Sequence, residues 1–536
     1  MMMGNTNLQR RLVIQLERIG DLIQSTPAFS SLAERGIPYD LLVCEHARDL
    51  LSGMPGSDSL RTIPISQVEH ANGVIAAAWR GSGVPEEVRE LYQGLALPRF
   101  GSSINLSHQS FASWVQGAVD AQEKVGSQIR PGEWTYQGAW PNYLVALFDF
   151  RTQNQFNLAD IYRAAAGADR PPLAEATPYM KVADRSGVSL PPGRVVAINP
   201  GTKSENRRWP KRNFAAVADG VREAGLVPVL VGAPDDEELC QAVAQLAARA
   251  PDIYCQTTLP EFARLLSEVE LLVSNDTGAL HIASTVGTPV VGVYGGASWY
   301  TETAPWGQGH RIVQGPVTLN REGLEKIAPV SVLNAALEKM GLLPREVFAR
   351  DMDSEAVQVV DTLMLPGNAD ALGGVCYVSA LGKRMSMNEL TDRVMRHAFC
   401  RAFIGGEICL DYLRDWAPEK DLVEWRAVHQ QESASRQLLT AQRDLLRRGC
   451  SMVGRGREHQ HGAELGLIFE SVKRGVETLG RRQEKAAYCK APIGWALWAH
   501  KNLSEEEPGR YMEALVGIYE VALAVVQGTE ELMEAY

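Results

Sequence analysis

The stretch Leu271–Gly278, Leu-Leu-Val-Ser-Asn-Asp-Thr-Gly, constrains the fold of this chain more than any other. A short apolar run ends in polar residues and a glycine, and helical spacing starts at Ala279-Leu280-His281. That pattern predicts a buried strand feeding a turn that opens a helix. Asn275 or Asp276 can cap the helix, and Gly278 lets backbone approach a ligand closely. The free amides of a first helical turn, with the positive end of the dipole, form an anion site. At the carboxyl end of a parallel sheet, such a turn is where α/β proteins bind nucleotides. Taken alone, the stretch is also what an ordinary strand-to-helix loop looks like.

A second unit of the same kind lies upstream. Val195–Asn199 reads as a strand, followed by Pro200-Gly201-Thr202-Lys203 and Arg207-Arg208-Trp209-Pro210. Pro210 suits the first position of a helix that continues through Asn213–Ala224. The loop sets Lys203, Arg207 and Arg208 beside a helix start, an arrangement fitted to a diphosphate whose charge rises as a bond breaks. A solvated basic loop is the plainer alternative. A third unit opens the chain: strand Arg11–Leu16, then Gly20-Asp21 ahead of a helix through Thr26, Pro27, Ala28 and Leu32. Asp21 either caps that helix or, facing a cleft, takes a proton.

Three motifs in this order carry a resemblance. Leu12-Val13-Ile14-Gln15-Leu16 with Arg18-Ile19-Gly20-Asp21-Leu22 and Thr26-Pro27-Ala28 is similar to the N-terminal signature of glycosyltransferase family 9, the bacterial heptosyltransferases. Asn199-Pro200-Gly201 with Arg207-Arg208-Trp209-Pro210 resembles the motif that opens the second half of that family. Ser274–Ala283 with Gly287-Thr288-Pro289-Val290 resembles its donor-site motif. The resemblance spans roughly the first two-thirds of the chain. It implies an α/β protein of GT-B fold, with two facing Rossmann-like domains and the active site between them. The expected division is an acceptor-side domain at 1–180, a nucleotide-sugar donor domain at 194–343, and a mainly α-helical extension at 350–536.

Composition bounds the rest. A chain of 536 residues accommodates about three domains. Its 45% hydrophobic and 22% charged residues are those of a globular protein. A net charge of −11 argues against a general nucleic-acid binder. The eight cysteines show no CxxC pair or Cys/His ligand spacing, which points to reduced thiols and no zinc site. Met1–Arg11 lacks the apolar core of a signal peptide, and Leu515–Val526 is short and interrupted by Glu520. These features place the protein in the cytoplasm, with peripheral contact at the inner membrane left open.

Other segments give coarser expectations. Ser103–His108 reads as a strand end presenting polar groups, and Gln128–Asn142, rich in Gly, Pro and Trp, as a long irregular loop. The prolines between Arg170 and Gly193 mark a domain boundary, and Val227–Val231 leads into Gly232-Ala233-Pro234-Asp235-Asp236. Ala356–Leu365 and Gly374–Leu381 suggest a small hairpin. Beyond it, 389–416, 422–448, 464–484 and 508–534 have amphipathic helical spacing, with Gly454-Arg455-Gly456-Arg457 as a turn. A helical bundle there suits homo-oligomerisation, acceptor docking or a lid.

The expected chemistry follows from the three loops and the resemblance. Asp21 is the candidate general base, helped if a dry cleft raises its pKa. Arg207 stands two residues before Trp209, where the family usually has lysine, and is the candidate diphosphate ligand, with Lys203 or Arg208 as alternatives. Thr202, Thr277, Gly278, Ala279 and Leu280 would line the phosphate site. Asp276 positions the donor sugar or holds its loop, and His281 touches phosphate or packs in the core. Asp235 is the candidate ribose contact, although Pro234 stands where several relatives carry an acidic residue. Asp351-Met352-Asp353, the one pair resembling a metal-binding Asp-x-Asp, lies outside both Rossmann-like domains. No metal and no cofactor are therefore expected. The leading function is inverting transfer of a sugar, heptose from ADP-heptose, to a lipopolysaccharide core or other glycan or glycolipid acceptor. The alternatives are a non-catalytic nucleotide- or glycan-binding scaffold and a transferase acting on a flagellar or surface protein.

Overall fold

The computed structural model describes residues 10–381 apart from short stretches within that span, together with Arg396 and Cys400. Two sheets organise it. The first contains β1 (Arg11–Gln15), β2 (Tyr39–Cys44), β3 (Ser57–Ile63), β4 (Phe100–Asn105), β5 (Ala121–Arg130) and β6 (Glu133–Gln137), in the order β3-β2-β1-β4-β5-β6. All neighbours are parallel except β5 and β6. The second contains β7 (Val195–Asn199), β8 (Val227–Val231), β9 (Asp252–Tyr254), β10 (Leu271–Asn275), β11 (Val290–Gly296), β12 (Arg311–Val317), β13 (Gln358–Leu365) and β14 (Gly374–Ser379). Their order is β14-β13-β12-β11-β10-β7-β8-β9, parallel from β9 to β12.

The central strands are continuous apolar runs because helices cover both faces of the sheet. In β7, Val196 and Ile198 join a core with Trp209, Phe214 and Val217 on one face. Val195 and Ala197 alternate to the other face, against Leu265, Leu266 and Leu280. The two sheets, each with helices on its faces, make an α/β fold of two Rossmann-like halves. Each sheet reverses its order once: at β1/β4 in the first and at β7/β10 in the second. Those are the points where loops diverge and leave a crevice beyond the carboxyl ends of the strands.

The helix after β1, Ile19–Glu34, carries Pro27 in its interior. Proline cannot donate to the carbonyl four residues back, and the Thr26 hydroxyl donates to that carbonyl of Ile23 instead, at 2.7 Å. Gly20 and Asp21, expected just ahead of this helix, lie in its first turn.

Two expectations change. Gln128–Asn142 is not an irregular loop: β5 and β6 pair antiparallel with Ile129 opposite Trp134, and a helix follows at Ala139–Ala146. Burial of Ile129 and the hydrogen bond from Trp134 Nε1 to Ser127 Oγ (2.7 Å) outweigh the turn-forming composition. The expected hairpin near 356–381 does form, but β13 pairs antiparallel with β12, so the second sheet reaches Ser379 and passes the expected end at 343. Buried Arg311 fastens it there. Its Nε and Nη2 donate to Asp361 at 2.8 and 2.9 Å, Nη1 donates to Glu338, and the guanidinium stacks 4.7 Å over the Phe348 ring.

The first half also reaches onto the second sheet. The helix Leu158–Ala165 packs along Ile19–Glu34, while Asn157 donates to the Ala304 carbonyl (2.8 Å) and the Tyr377 hydroxyl (3.1 Å). Asp160, fully buried, accepts from Trp306 Nε1 at 2.9 Å and from the Val375 amide at 3.0 Å. Of the C-terminal segments, only Arg396 and Cys400 fall among the described residues; the remaining amphipathic stretches and the 454–457 turn lie outside them. Among the described residues no helix is long and apolar enough to cross a membrane.

Candidate active site

Both switch points open onto one cleft, where the first turns of helices Ile19–Glu34 and Gly278–Thr285 meet. A side chain on Gly20 would lie 3.2 Å from His281 Cδ2 and 3.5 Å from Gly278 Cα, so glycine is what permits the approach.

The two second-sheet loops at the cleft are built on Asn275. Its Oδ1 accepts from the Trp209 amide at 3.0 Å and its Nδ2 donates to the Pro200 carbonyl at 2.9 Å, locking the 200–210 loop to the end of β10. With Asn275 so engaged, it does not cap the next helix. Asp276 does not cap it either, because its Oδ2 accepts from Ser298 Oγ at 2.7 Å and from Arg207 Nη1 at 3.4 Å. Thr277 takes the cap position without a side-chain capping bond, and its hydroxyl lies 3.2 Å from Ser274 Oγ. Pro210 likewise sits at the cap of its helix, one residue before the expected place.

Arg207 is partly exposed while Asp276 is buried, so the carboxylate aims the guanidinium and leaves its other edge facing the cleft. Arg208 folds back on its own loop, donating to the Thr202 carbonyl at 2.6 Å and to Glu205. Lys203 is exposed at the rim, where its charge depresses the pKa of His46 on the opposite domain, second to burial. Thr202 is half-buried in the same loop; Ala279 and Leu280 are buried and offer backbone only. Asp235 is exposed in the short turn Pro234–Asp236. Its neighbour Asp236 turns inward beneath Gly201, where it leaves no room for a side chain.

Asp21 lies half-buried at the meeting of the two helices. Burial, then the charge of Glu17 and that of Asp276, raise its pKa to about 7, while Arg18 and Arg207 pull the other way. Groups on both sheets therefore act on one carboxyl. His281 is buried beside Gly20, pushed down to about 4 by burial, and thus neutral; its Nδ1 has no hydrogen-bond partner among the described residues. Sequence reasoning missed Ser298, Glu17, Glu302 and Tyr162. Asp21, Glu17 and Glu302 all raise the Tyr162 pKa after burial, which gathers them around that phenol. Glu17, four residues ahead of Asp21, was the one of these that local spacing could have revealed.

Asp351 ends the helix Arg345–Asp351, away from this cleft and in contact with Arg350, and Asp353 lies outside the described residues. Among the described residues no group of three His, Cys, Asp or Glu side chains is arranged to hold a metal ion.

Comparison with known proteins finds partial matches to one family. Residues 151–323 match the profile of glycosyltransferase family 9 (heptosyltransferase). Lipopolysaccharide heptosyltransferase 3 of Escherichia coli is 28% identical over 127 residues, 23% of this chain and 36% of that one, so the match spans about a third of that relative. Lipopolysaccharide core heptosyltransferase OpsX of Haemophilus influenzae is 22% identical over 303 residues, covering 53% of this chain and 78% of its own length. Among solved structures, a glycosyl transferase of family 9 from Veillonella parvula aligns over 62% of this chain and 97% of its own, at 19% identity and a TM-score of 0.46. The chain is similar to the heptosyltransferases of glycosyltransferase family 9, with its family match lying in residues 151–323.

Proposed function

We propose that this chain is an inverting glycosyltransferase that moves heptose from ADP-heptose to a lipopolysaccharide-core or related surface glycan, working from the cytoplasmic side. The observation that carries this reading is the placement of Asp21, with its pKa near 7, opposite the Arg207–Asp276 pair across the switch-point cleft. A carboxylate titrating near the working pH is a far better proton acceptor than one near 4. The acceptor hydroxyl gives its proton to Asp21 as its oxygen bonds to the anomeric carbon. On the opposite face the bond from that carbon to the diphosphate oxygen breaks. The departing charge is taken up by Arg207, by the Thr277 hydroxyl and by the amides at the start of helix Gly278–Thr285. No step requires a metal. Asp276 holds Arg207 in place and Asn275 fixes the loop.

The closing assay incubates the purified protein with ADP-heptose, other ADP-sugars and UDP-sugars, with and without EDTA, and follows nucleotide release. Release of ADP from ADP-heptose, unchanged by EDTA, is the expected result. Release from a UDP-sugar alone would replace the donor, and loss on chelation restored by magnesium would overturn the metal-free mechanism.

A further inference from the structure

Gln15 is a buried amide at the end of a strand whose neighbours Leu12, Val13, Ile14 and Leu16 are all buried and apolar. An amide is tolerated there only when it is hydrogen-bonded. Backbone donors fix which way it points. The Glu17 amide donates to Oε1 at 3.2 Å, so that atom is the oxygen and its partner the nitrogen. The Ser107 hydroxyl accepts from the Leu16 amide at 2.7 Å and gives its own proton to the same Oε1 at 3.1 Å. Gln15 Nε2 donates in turn to Ser25 Oγ at 2.6 Å, and Ser25 Oγ donates to the backbone carbonyl of Asp21 at 2.8 Å. The bonds from the loop after β4 to the first turn of helix Ile19–Glu34 therefore run in one direction throughout.

We propose that Gln15 is a positioning residue, which through Ser25 holds the backbone of Asp21 in place for the transfer; this rests on the reading of Asp21 as the base. The helix needs such a hold at this end, because its cap residue Arg18 makes no side-chain bond to the first turn. A serine hydroxyl bonded four residues back is common in helices. This one differs in that its oxygen is also held from outside the helix, by Gln15. The far end of the relay is anchored in turn. The Ser107 amide donates to Asn105 Oδ1 at 2.9 Å, and Asn105 Nδ2 donates to the Ser127 carbonyl at 2.8 Å. The Glu17 carboxylate accepts from the His108 amide and from Gln109 Nε2, both at 2.9 Å. Gln15, Ser25 and Ser107 are fully buried, so solvent does not compete for their bonds. A displacement of this turn by about 1 Å would misplace Asp21 against Arg207 and cost turnover without touching the donor contacts.

A double-mutant cycle on the full chain, read as kcat for ADP release from ADP-heptose and as ADP affinity by calorimetry, tests this. Gln15→Met keeps the shape and removes the bonds; Ser25→Ala removes the hydroxyl. Each is expected to lower kcat by about tenfold or more with ADP affinity unchanged. Because the effect passes through one chain of bonds, the double variant should be no slower than the slower single one. A residue that only supports the fold would lower the melting temperature and leave kcat, measured well below melting, as in wild type. That result overturns the proposal, as do losses that multiply in the double variant. Should Gln15→Met fail to fold, Ser25→Ala carries the test alone, a loss in kcat supporting the hold and an unchanged kcat refuting it. Hydrogen exchange of the amides of residues 19–25 reads the hold without reference to chemistry: faster exchange in the variants is expected, and unchanged exchange overturns it. If Asp21→Asn keeps wild-type turnover, the base reading fails by itself, and the exchange measurement still decides whether Gln15 fastens this turn.

Discussion

Asp21→Asn should damage turnover and strengthen the fold, and the second effect depends on pH in a calculable way. Folding moves this carboxyl from its ordinary 3.8 to about 7. An acid raised on folding binds its proton more tightly in the native state. Its contribution to stability is therefore full below pH 4 and is lost as the pH climbs through 7. Above pH 7 the native protein carries an ionised carboxylate in a poorly solvated place. About three pKa units at ~1.4 kcal/mol each set a ceiling near 4 kcal/mol. Water reaches the half-buried group, so the expected gain from asparagine is about 1–2 kcal/mol at pH 8. The gain should shrink towards pH 5, where the wild-type native state is protonated. Asparagine has nearly the same shape but cannot accept the proton, so turnover should fall about a hundredfold or more with donor affinity unchanged. Urea unfolding at pH 5 to 8.5, beside nucleotide-release kinetics, measures both. A variant that is less stable at pH 8 and turns over near normally would refute the reasoning and leave Asp21 a structural residue.

Arg207→Ala should weaken ADP binding by about 1.5–3 kcal/mol, since it removes a charge-assisted contact and leaves Asp276 uncompensated near the diphosphate; equal affinities by calorimetry would put the diphosphate elsewhere. Arg311→Met takes the buried guanidinium from the part-buried carboxylates of Asp361 and Glu338, which keep only the longer contacts of Lys339 and Arg345, and should cost about 1.5–3 kcal/mol in denaturant unfolding; a loss under about 0.5 kcal/mol would show that those cations and water compensate them.

Sequence and structure agree where the local pattern is determined by local forces. The strand-turn-helix units at Val195, Leu271 and Arg11 were legible because apolar runs, turn residues and helical spacing followed one another within a few positions. The caps were misassigned because Asn275 and Asp276 are drawn off by Trp209, Pro200, Ser298 and Arg207, partners from distant parts of the chain. The strand β6 was hidden for the same reason: Trp134 and Ile129 settle the pairing against a turn-like composition. Asp235 and Asp236 look alike in sequence, and only the fold shows that the second turns beneath Gly201. Glu17 became visible as part of the site only once the loop after β4 was placed beside it.

The pairing of Asp160 with Trp306 and Val375 has a mechanical consequence. A sugar donor bound between the two sheets, as proposed above, would need the cleft to open for its entry and exit. Sliding one sheet past the other would pull Asp160 from both donors and leave it the charge of Arg163 on its own helix, at 3.9 Å, in a dry seam. Rotation about that seam leaves the bonds intact. The buried aspartate thus ties the two halves together behind the cleft, on the side away from Asp21 and Arg207.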